Sequence, residues 1–320
     1  MDRQSFVLDS PNANDEAHRV TRALITGASG FVGQHLVAHL QSCGDETIAS
    51  DLDQRGPDIT DYRAVDELIG DTKPDVVYHL AGWSDVSGSW RNRAATYQAN
   101  VIGTDSVLSA CANHHTHRVL VISSADVYGN VPAHDQPIAE TEPPRPAGPY
   151  AASKAAAEMV ARQAHINGLG VIMARSFNHA GPGQRPDFVI PALARRVLHA
   201  KQQKATSLQT GVLTAERDFT DVRDVARAYR LLTEHGTPGE VYNVCRGTAV
   251  TIEAVLQELL TLADVDLTPV LDPQLVRPIE INRRCGDPTK LRSATGWSPT
   301  ISLTQTLRDV LEECATQPEE

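Results

Sequence analysis

Three side chains near the middle of the chain have the chemistry of a proton-transfer site. Tyr150 and Lys154 are four residues apart at the predicted start of a helix, so they share one face about one turn apart. Ser124 follows a predicted strand, at the edge where a parallel sheet places its ligands. A phenol has a reference pKa of about 10, so the neighbouring ammonium and a bound oxidised cofactor must together lower the pKa of Tyr150 for the phenolate to form near neutral pH. The serine hydroxyl would hold the oxygen that exchanges the proton. By themselves, the three residues could also be an exposed helical pair and a serine that ends a strand.

A glycine-spaced segment near the N-terminus is typical of a dinucleotide-binding loop. Gly27, Gly30 and Gly33 follow the first predicted strand and begin the first predicted helix, with the spacing G-x-x-G-x-x-G. Glycines permit a tight turn and a close approach to a pyrophosphate, and the helix N-terminus supplies N–H donors. Asp51, at the end of the second predicted strand, lies 18 residues after Gly33. This is near the ~20-residue offset of a carboxylate that binds the adenosine ribose. This pattern predicts a Rossmann-type site that favours NAD(H), and the nearby Arg55 keeps NADP(H) open.

The elements that must position these residues alternate along the first half of the chain. Strand–helix alternation indicates βαβ units and a parallel sheet covered on both faces. The predicted strands are Ala23–Thr26, Thr47–Ser50, Asp75–Leu80, Val119–Ser123, Val171–Arg175 and Val241–Val244. The predicted helices are Phe31–Cys43, Tyr62–Ile69, Ala94–Asn113, Tyr150–His165, Val189–Ala200, Val222–Glu234 and Ile252–Ala263. The fold class is therefore α/β: a doubly wound parallel sheet of the Rossmann type with a smaller mixed α/β substrate-binding lobe.

Composition excludes several classes of function. The 320 residues carry a net charge of −11, so no general positive field attracts nucleic acid. No apolar stretch approaches the ~18–20 residues of a membrane span, and the first twenty residues lack the apolar core of a signal peptide. The five cysteines contain no C-x-x-C pair, which indicates a reducing compartment and predicts a cytoplasmic protein. The histidine groups lack further ligands at metal-binding spacing, so no metal is expected.

Four motifs together resemble the extended short-chain dehydrogenase/reductases that act on nucleotide sugars. They are Thr26–Gly33, His79-Leu80-Ala81-Gly82, Ser123–Gly129 and Tyr150-Ala151-Ala152-Ser153-Lys154. The resemblance covers about residues 21–312. Four later segments are similar to the branch that acts on GDP-mannose derivatives: Arg175–Gln184, Arg217–Val222, Arg277–Glu280 and Gly286–Lys290.

The resemblance implies a role for particular residues. Ser124, Tyr150 and Lys154 would be catalytic. An NAD(H) or NADP(H) site would consist of Gly27, Gly30, Phe31, Val32, Gly33, Asp51, Asp58, Ile59, Leu80, Ala81, Gly82, Asn100 and Lys154. The substrate would contact Ser84, Asp126, Asn178, Arg217, Arg277 and Glu280, with the two arginines clamping its diphosphate. Relatives commonly dimerise through two long helices, here near Ala94–Asn113 and Tyr150–His165, so the resemblance also implies a homodimer with a four-helix bundle.

The residues after Ser124 bear on which reaction of this family the chain performs. By the resemblance, dehydratases carry an Asp-Glu or Ser-Glu pair there as acid and base, whereas this chain has Ala125 and Asp126. Alanine cannot donate a proton. We therefore expect reduction of the C4 ketone of a 4-keto-6-deoxy nucleotide sugar, first of all GDP-4-keto-6-deoxy-D-mannose, with Tyr150 as proton donor. A nucleotide-sugar 4-epimerase is the main alternative, and a 4,6-dehydratase or a non-catalytic nucleotide sensor is less favoured.

The same pattern suggests how the chain is divided. We expect a flexible N-terminal tail over residues 1–20. A dinucleotide-binding domain would comprise residues 21–176 with 220–245, and a nucleotide-sugar-binding domain residues 177–219 with 246–320.

Overall fold

The structure, a computed structural model, describes residues 20–52, 56–275 and 281–316. Its strands are β1 (Arg22–Thr26), β2 (Glu46–Ser50), β3 (Val76–His79), β4 (Arg118–Ser124), β5 (Val171–Ser176), β6 (Asn178–Ala180), β7 (Ser207–Thr210), β8 (Glu216–Asp221), β9 (Val241–Val244), β10 (Ala249–Thr251), β11 (Thr268–Leu271) and β12 (Arg283–Arg284). Its α-helices are α1 (Phe31–Ser42), α2 (Tyr62–Thr72), α3 (Arg93–Tyr97), α4 (Gly103–Asn113), α5 (Pro149–Ile166), α6 (Val189–Gln202), α7 (Val222–His235), α8 (Ile252–Ala263), α9 (Thr289–Thr295) and α10 (Leu303–Thr316).

A parallel six-stranded sheet in the order β2-β1-β3-β4-β5-β9 forms the centre of the first lobe. Strands β3, β5 and β9 are buried along their whole length because helices cover both faces of the sheet. One face packs against α1 and α7, and the other against α2, α4 and α5. Strand β2 lies on one side of β1 in the sheet, and β3 lies on the other. The connections therefore diverge at this point, and a crevice opens between the carboxyl ends of β1 and β3. The predicted Rossmann-type fold is confirmed, and this crevice is where such a fold binds its ligand.

A second lobe has its own core. Strand β8 pairs with β6, β10 and β12, while β7 pairs with β11. Helices α6, α8 and α10 supply most of the buried apolar side chains around them. The sequence predicted a mixed lobe here with helices α6 and α8 but did not indicate α10. The strands were also missed, because strands of two to six residues have too few positions to show alternation.

The predicted boundaries assign residues 246–320 to the nucleotide-sugar-binding domain, but α9 packs against the first lobe. Leu291 and Trp297 are buried in the core of the first lobe, together with α1 and α7. The division into two domains stays a prediction, and the packing favours assigning α9 to the dinucleotide-binding part. The predicted tail lies outside the described residues except for Val20, which is exposed.

The predicted helix Ala94–Asn113 is interrupted. Between α3 and α4 the chain forms one π-helical segment, Gln98–Ile102. Such a segment inserts an extra residue into the turn and is frequent at functional sites. It has the same apolar pattern as an ordinary helix, which is why the sequence did not reveal it. No helix in the described ranges is long and apolar enough to cross a membrane.

Candidate active site

The loop between β1 and α1 is shaped to lie close to a ligand. Gly27 has φ of +74°, and a Cβ there would lie 2.7 Å from the backbone nitrogen of Ala81. A Cβ on Gly33 would lie 2.2 Å from the carbonyl oxygen of Gly27, so this glycine lets α1 pack against the loop. Gly30 precedes α1 without a side-chain cap, and the first turn contains no acidic residue. Uncapped N–H groups with no nearby carboxylate suit a pyrophosphate, so the loop fits a dinucleotide.

Asp51 reaches this loop from the end of β2. Its Oδ2 accepts hydrogen bonds from the Ser29 backbone nitrogen at 3.1 Å and from Ser29 Oγ at 2.6 Å. Its Oδ1 accepts from the backbone of Leu52 at 2.8 Å. The carboxylate is therefore held in place at the predicted ribose end of the site. Ser29 was not predicted as a site residue, although its place inside the glycine loop could have indicated it.

Seven of the remaining predicted cofactor residues lie in three segments of the first lobe. Leu80, Ala81 and Gly82 directly follow β3, next to the glycine loop. Phe31 and Val32 open α1, and the Phe31 ring stacks on His179 at 5.9 Å between centroids. Asp58 is exposed and accepts a hydrogen bond from its neighbour Thr60, while Ile59 packs beneath α4.

Asn100 lies in the π-helical segment and is buried. Its Oδ1 accepts a hydrogen bond from the Trp83 backbone at 2.7 Å, and its Nδ2 donates to Ser153 Oγ at 2.8 Å. A Cβ on Gly82 would lie 2.5 Å from the same Oδ1. Asn100 thus ties the segment after β3 to the helix that carries Tyr150 and Lys154.

The three predicted catalytic residues converge at the carboxyl end of β4. Ser124 is its last residue, and Tyr150 and Lys154 lie in the first turns of α5. The Ser124 hydroxyl lies close enough to the Tyr150 phenol to lower the pKa of that phenol. Lys154 Nζ donates to the carbonyl oxygen of Ile122 at 2.9 Å, two residues before Ser124. The arrangement can hold an oxygen between a hydroxyl and a phenol, beside a cation.

In the protein alone the pKa of Tyr150 is raised, and the expected lowering, which depends on an oxidised cofactor as well as on Lys154, stays a prediction. Burial of the phenol raises the pKa of Tyr150, and the Asp126 carboxylate raises it further, whereas the Ser124 hydrogen bond and the Arg284 cation lower it. Burial also lowers the pKa of Lys154 to about 8. The phenol therefore keeps its proton at neutral pH, which is the state that a proton donor needs.

The structure describes four of the six predicted substrate residues. Ser84 is exposed after β3, and half-buried Asn178 begins β6. Arg217 is half-buried in β8, where its Nη1 donates to the carbonyl oxygen of Glu216 at 2.9 Å. Asp126 forms an ion pair with Arg284, which the sequence analysis did not single out. Arg277 and Glu280 lie outside the described residues.

Comparison with known proteins identifies the family. Residues 49–310 match the family model described as GDP-mannose 4,6 dehydratase. The GDP-6-deoxy-D-mannose reductase of Pseudomonas aeruginosa is 40% identical over 295 residues, which span 91% of this chain and 96% of the reductase. The chain belongs to the extended short-chain dehydrogenase/reductases of nucleotide sugars.

Solved structures of this family superimpose closely on the chain. RMD from Pseudomonas aeruginosa, complexed with NADPH, has a TM-score of 0.85 at 39% identity, covering 93% of this chain and 100% of its own. The UDP-glucose 4-epimerase of Thermus thermophilus, in complex with NAD, has a TM-score of 0.80 at 28% identity, covering 92% and 99%. The predicted family, fold and oxidoreductase class are thus confirmed, and both neighbours hold the predicted class of cofactor.

Proposed function

We propose that this enzyme reduces the C4 ketone of GDP-4-keto-6-deoxy-D-mannose with a hydride from NADPH or NADH. The observation that carries the proposal is the convergence of Ser124, Tyr150 and Lys154 beside the glycine loop. The name of the 40% identical Pseudomonas aeruginosa relative, a GDP-6-deoxy-D-mannose reductase, supports the same substrate.

The residues of this chain would act on the proton. The bound cofactor supplies the hydride that adds to C4. The phenol of Tyr150 donates its proton to the C4 oxygen, and burial keeps it protonated for that step by raising its pKa. Ser124 donates a hydrogen bond to the same oxygen and orients it. Burial lowers the pKa of Lys154 to about 8, so at neutral pH it is still mostly charged and stabilises the phenolate left by the transfer.

The cofactor would lie in the crevice between β1 and β3. Gly27, Gly30 and Gly33, with Phe31 and Val32, would face its pyrophosphate, and Asp51 its adenosine ribose. The other residues proposed for this site are Asp58, Ile59, Leu80, Ala81, Gly82, Asn100 and Lys154.

The sugar nucleotide would bind to the second lobe near β6 and β8. Asn178 and Arg217 lie on β6 and β8, which pair in parallel. A guanidinium matches paired phosphate oxygens, so Arg217 is proposed for the diphosphate together with Arg277. Ser84, Asp126 and Glu280 complete the proposed contacts.

A single mixture tests the reaction against its alternatives. The purified enzyme is mixed with NADPH and GDP-4-keto-6-deoxy-D-mannose, and the absorbance of the reduced cofactor is followed over time. A reductase consumes both in equal amounts, whereas an epimerase interconverts two 4-hydroxy sugars without net cofactor oxidation. A dehydratase would instead convert GDP-mannose to the ketone, and a nucleotide sensor would do neither. Failure to oxidise NADPH with this or other 4-keto-6-deoxy sugar nucleotides overturns the proposal.

The same assay tests the role of Tyr150. In Tyr150→Phe we expect kcat to fall by at least about 100-fold, the usual contribution of a general acid. The Kd for NADPH should stay within about twofold of the parent value, because the phenyl ring keeps the packing. An equal loss of binding and turnover would show that the residue is structural.

We further propose that the enzyme is a cytoplasmic homodimer that buries the exposed sides of its two long helices. Met159 on α5 is 55% exposed, and Ile102 of the π-helical segment is 45% exposed. Two large apolar side chains on adjacent helices suit a helix-bundle contact. Ala157, a small residue of the same helix, is buried and does not contribute to this exposed side. Light scattering should give a dimer that Met159→Lys dissociates, and a monomeric parent protein would overturn the proposal.

A further inference from the structure

Arg284 comes to the active site from a distant part of the sequence. It lies on the two-residue strand β12, which pairs in parallel with β8. Its Nη1 forms an ion pair with Oδ1 of Asp126, two residues after Ser124. The Arg284 and Asp126 side chains are only 10% and 23% exposed. Asp126 is held further by its backbone nitrogen, which donates to Ser124 Oγ at 3.1 Å.

Both charges of this ion pair change the pKa of Tyr150. The Asp126 carboxylate raises the pKa of the phenol, second only to burial, and the Arg284 guanidinium lowers it. The two charges therefore offset each other at the phenol. Of the other groups facing it, Ser124 lowers the pKa and Tyr229 of α7 raises it. Lys154 lies one turn further along the same helix.

A contribution to folding stability does not by itself explain why Arg284 and Asp126 form a mostly buried ion pair. Arg284 Nε is buried and has no hydrogen-bond partner among the described residues. A buried cation with an unmade hydrogen bond costs free energy, and buried ion pairs are often no better than apolar residues of similar size. Neutralising a carboxylate next to a proton donor is a reason to keep such a pair.

We propose that Arg284 is a positioning residue for the reduction, which neutralises and holds Asp126 so that the phenol of Tyr150 gives up its proton readily. This inference rests on the proposed reductase function. Ser124, Tyr150 and Lys154 perform the chemistry, and Arg284 acts on it through Asp126.

The test is the pH dependence of kcat/KM for the reverse reaction, oxidation of the product alcohol by NADP+. This direction needs the phenolate, so below the pKa of Tyr150 the rate rises with pH, and a shift of that pKa displaces this rising limb within the working pH range. Removing the cation in Arg284→Met leaves the carboxylate unopposed and should move the limb up by about one pH unit. Removing the anion in Asp126→Asn should move it down by a similar amount. Arg284→Lys, which keeps the charge, should restore the limb to within about 0.3 units of the parent position.

A neighbouring arginine provides the matched control. Arg283 lies on the same strand but pairs with Glu216, where both side chains are about one-third exposed. Arg283→Met should leave the limb unmoved. Shifts of Arg284→Met and Asp126→Asn in the same direction, or no shift in either, would overturn the inference.

Two further measurements separate the possible failures. If the parent protein does not oxidise NADPH with the ketone, the proposed function fails. The phenol can still be titrated by ultraviolet absorbance, subtracting Tyr150→Phe, and the same opposite shifts are expected. Thermal denaturation identifies a variant that has not folded, and Asp126→Asn alone then decides the direction of the shift.

Discussion

Glu158→Gln should destabilise the enzyme strongly, because Glu158 is the buried anion beneath the catalytic helix. Its side chain is 0% exposed. Oε1 accepts from Arg175 Nε at 2.8 Å and from Ser123 Oγ at 2.6 Å, and Oε2 accepts from Arg175 Nη2 at 2.7 Å. Glu158 lies one turn after Lys154, so these bonds join α5 to β4 and β5 directly below the predicted catalytic residues.

The magnitude follows from what the substitution leaves behind. Removing one partner of a buried ion pair costs about 3–5 kcal/mol, because the other charge stays buried and unpaired. Arg175 already has one buried nitrogen, Nη1, without a partner in the described structure. The glutamine oxygen, in the place of Oε1, can still accept two of the three bonds, so we expect the lower end, about 3 kcal/mol. Replacing both partners, in Glu158→Leu with Arg175→Met, should cost less than about 2 kcal/mol.

The assay is urea denaturation, followed by circular dichroism, of the parent, Glu158→Gln, the two single variants Glu158→Leu and Arg175→Met, and the double variant that combines the last two. A double-mutant cycle then gives the coupling free energy of the pair. We expect a double variant that is more stable than Glu158→Gln. The reasoning is refuted if Glu158→Gln loses less than about 1 kcal/mol, or if the costs of the two single variants simply add.

Three other outcomes test different parts of the structure. In Gly33→Ala, the added Cβ would lie 2.2 Å from the oxygen of Gly27 and 2.7 Å from that of Ala28. The loop must move, and calorimetry should show NADPH binding weakened by about tenfold or more. Burial lowers the pKa of His79 to about 3, so the folded protein keeps this ring neutral. Below about pH 6.5 the unfolded chain binds a proton at this histidine that the folded protein does not, so the free energy of unfolding decreases as pH falls. Urea denaturation at pH 6.5 and 5 should show a loss of about 2 kcal/mol that His79→Gln lacks. Asp51→Asn should raise the preference for NADPH over NADH, in kcat/KM, by about tenfold, because a carboxylate repels the 2′-phosphate. An unchanged preference would place the phosphate elsewhere.

Much of the first lobe could be predicted from the sequence because its signals are local. The glycine loop, the Tyr150/Lys154 spacing and the strand that ends at Ser124 each lie within a few residues. The structure confirms the parallel sheet that these segments predict. Helix spacing and the carboxyl edge of the sheet are general enough to bring such residues together without further information.

The rest of the site depends on contacts that are distant in sequence. Arg284 is 158 residues from Asp126, on a strand of two residues that has no pattern of its own. The rise in the pKa of Tyr150 that burial causes in the protein alone also escaped prediction, because Lys154 is visible in the sequence but the packing around the phenol is not. Desolvation is a property of the packed site, and here it exceeds the effect of the neighbouring charges.

The most direct test of the central claim is to follow the hydride. NADPH carrying deuterium at nicotinamide C4 on the transferred face is mixed with the enzyme and GDP-4-keto-6-deoxy-D-mannose, and the sugar product is analysed by NMR and mass spectrometry. Both cofactor stereoisomers are used, so that transfer from either face is detected. We expect one deuterium atom at C4 of a 6-deoxy sugar nucleotide, formed in equal amount to the oxidised cofactor. A product without deuterium at C4 from either stereoisomer, or sugar conversion without cofactor oxidation, would contradict the account.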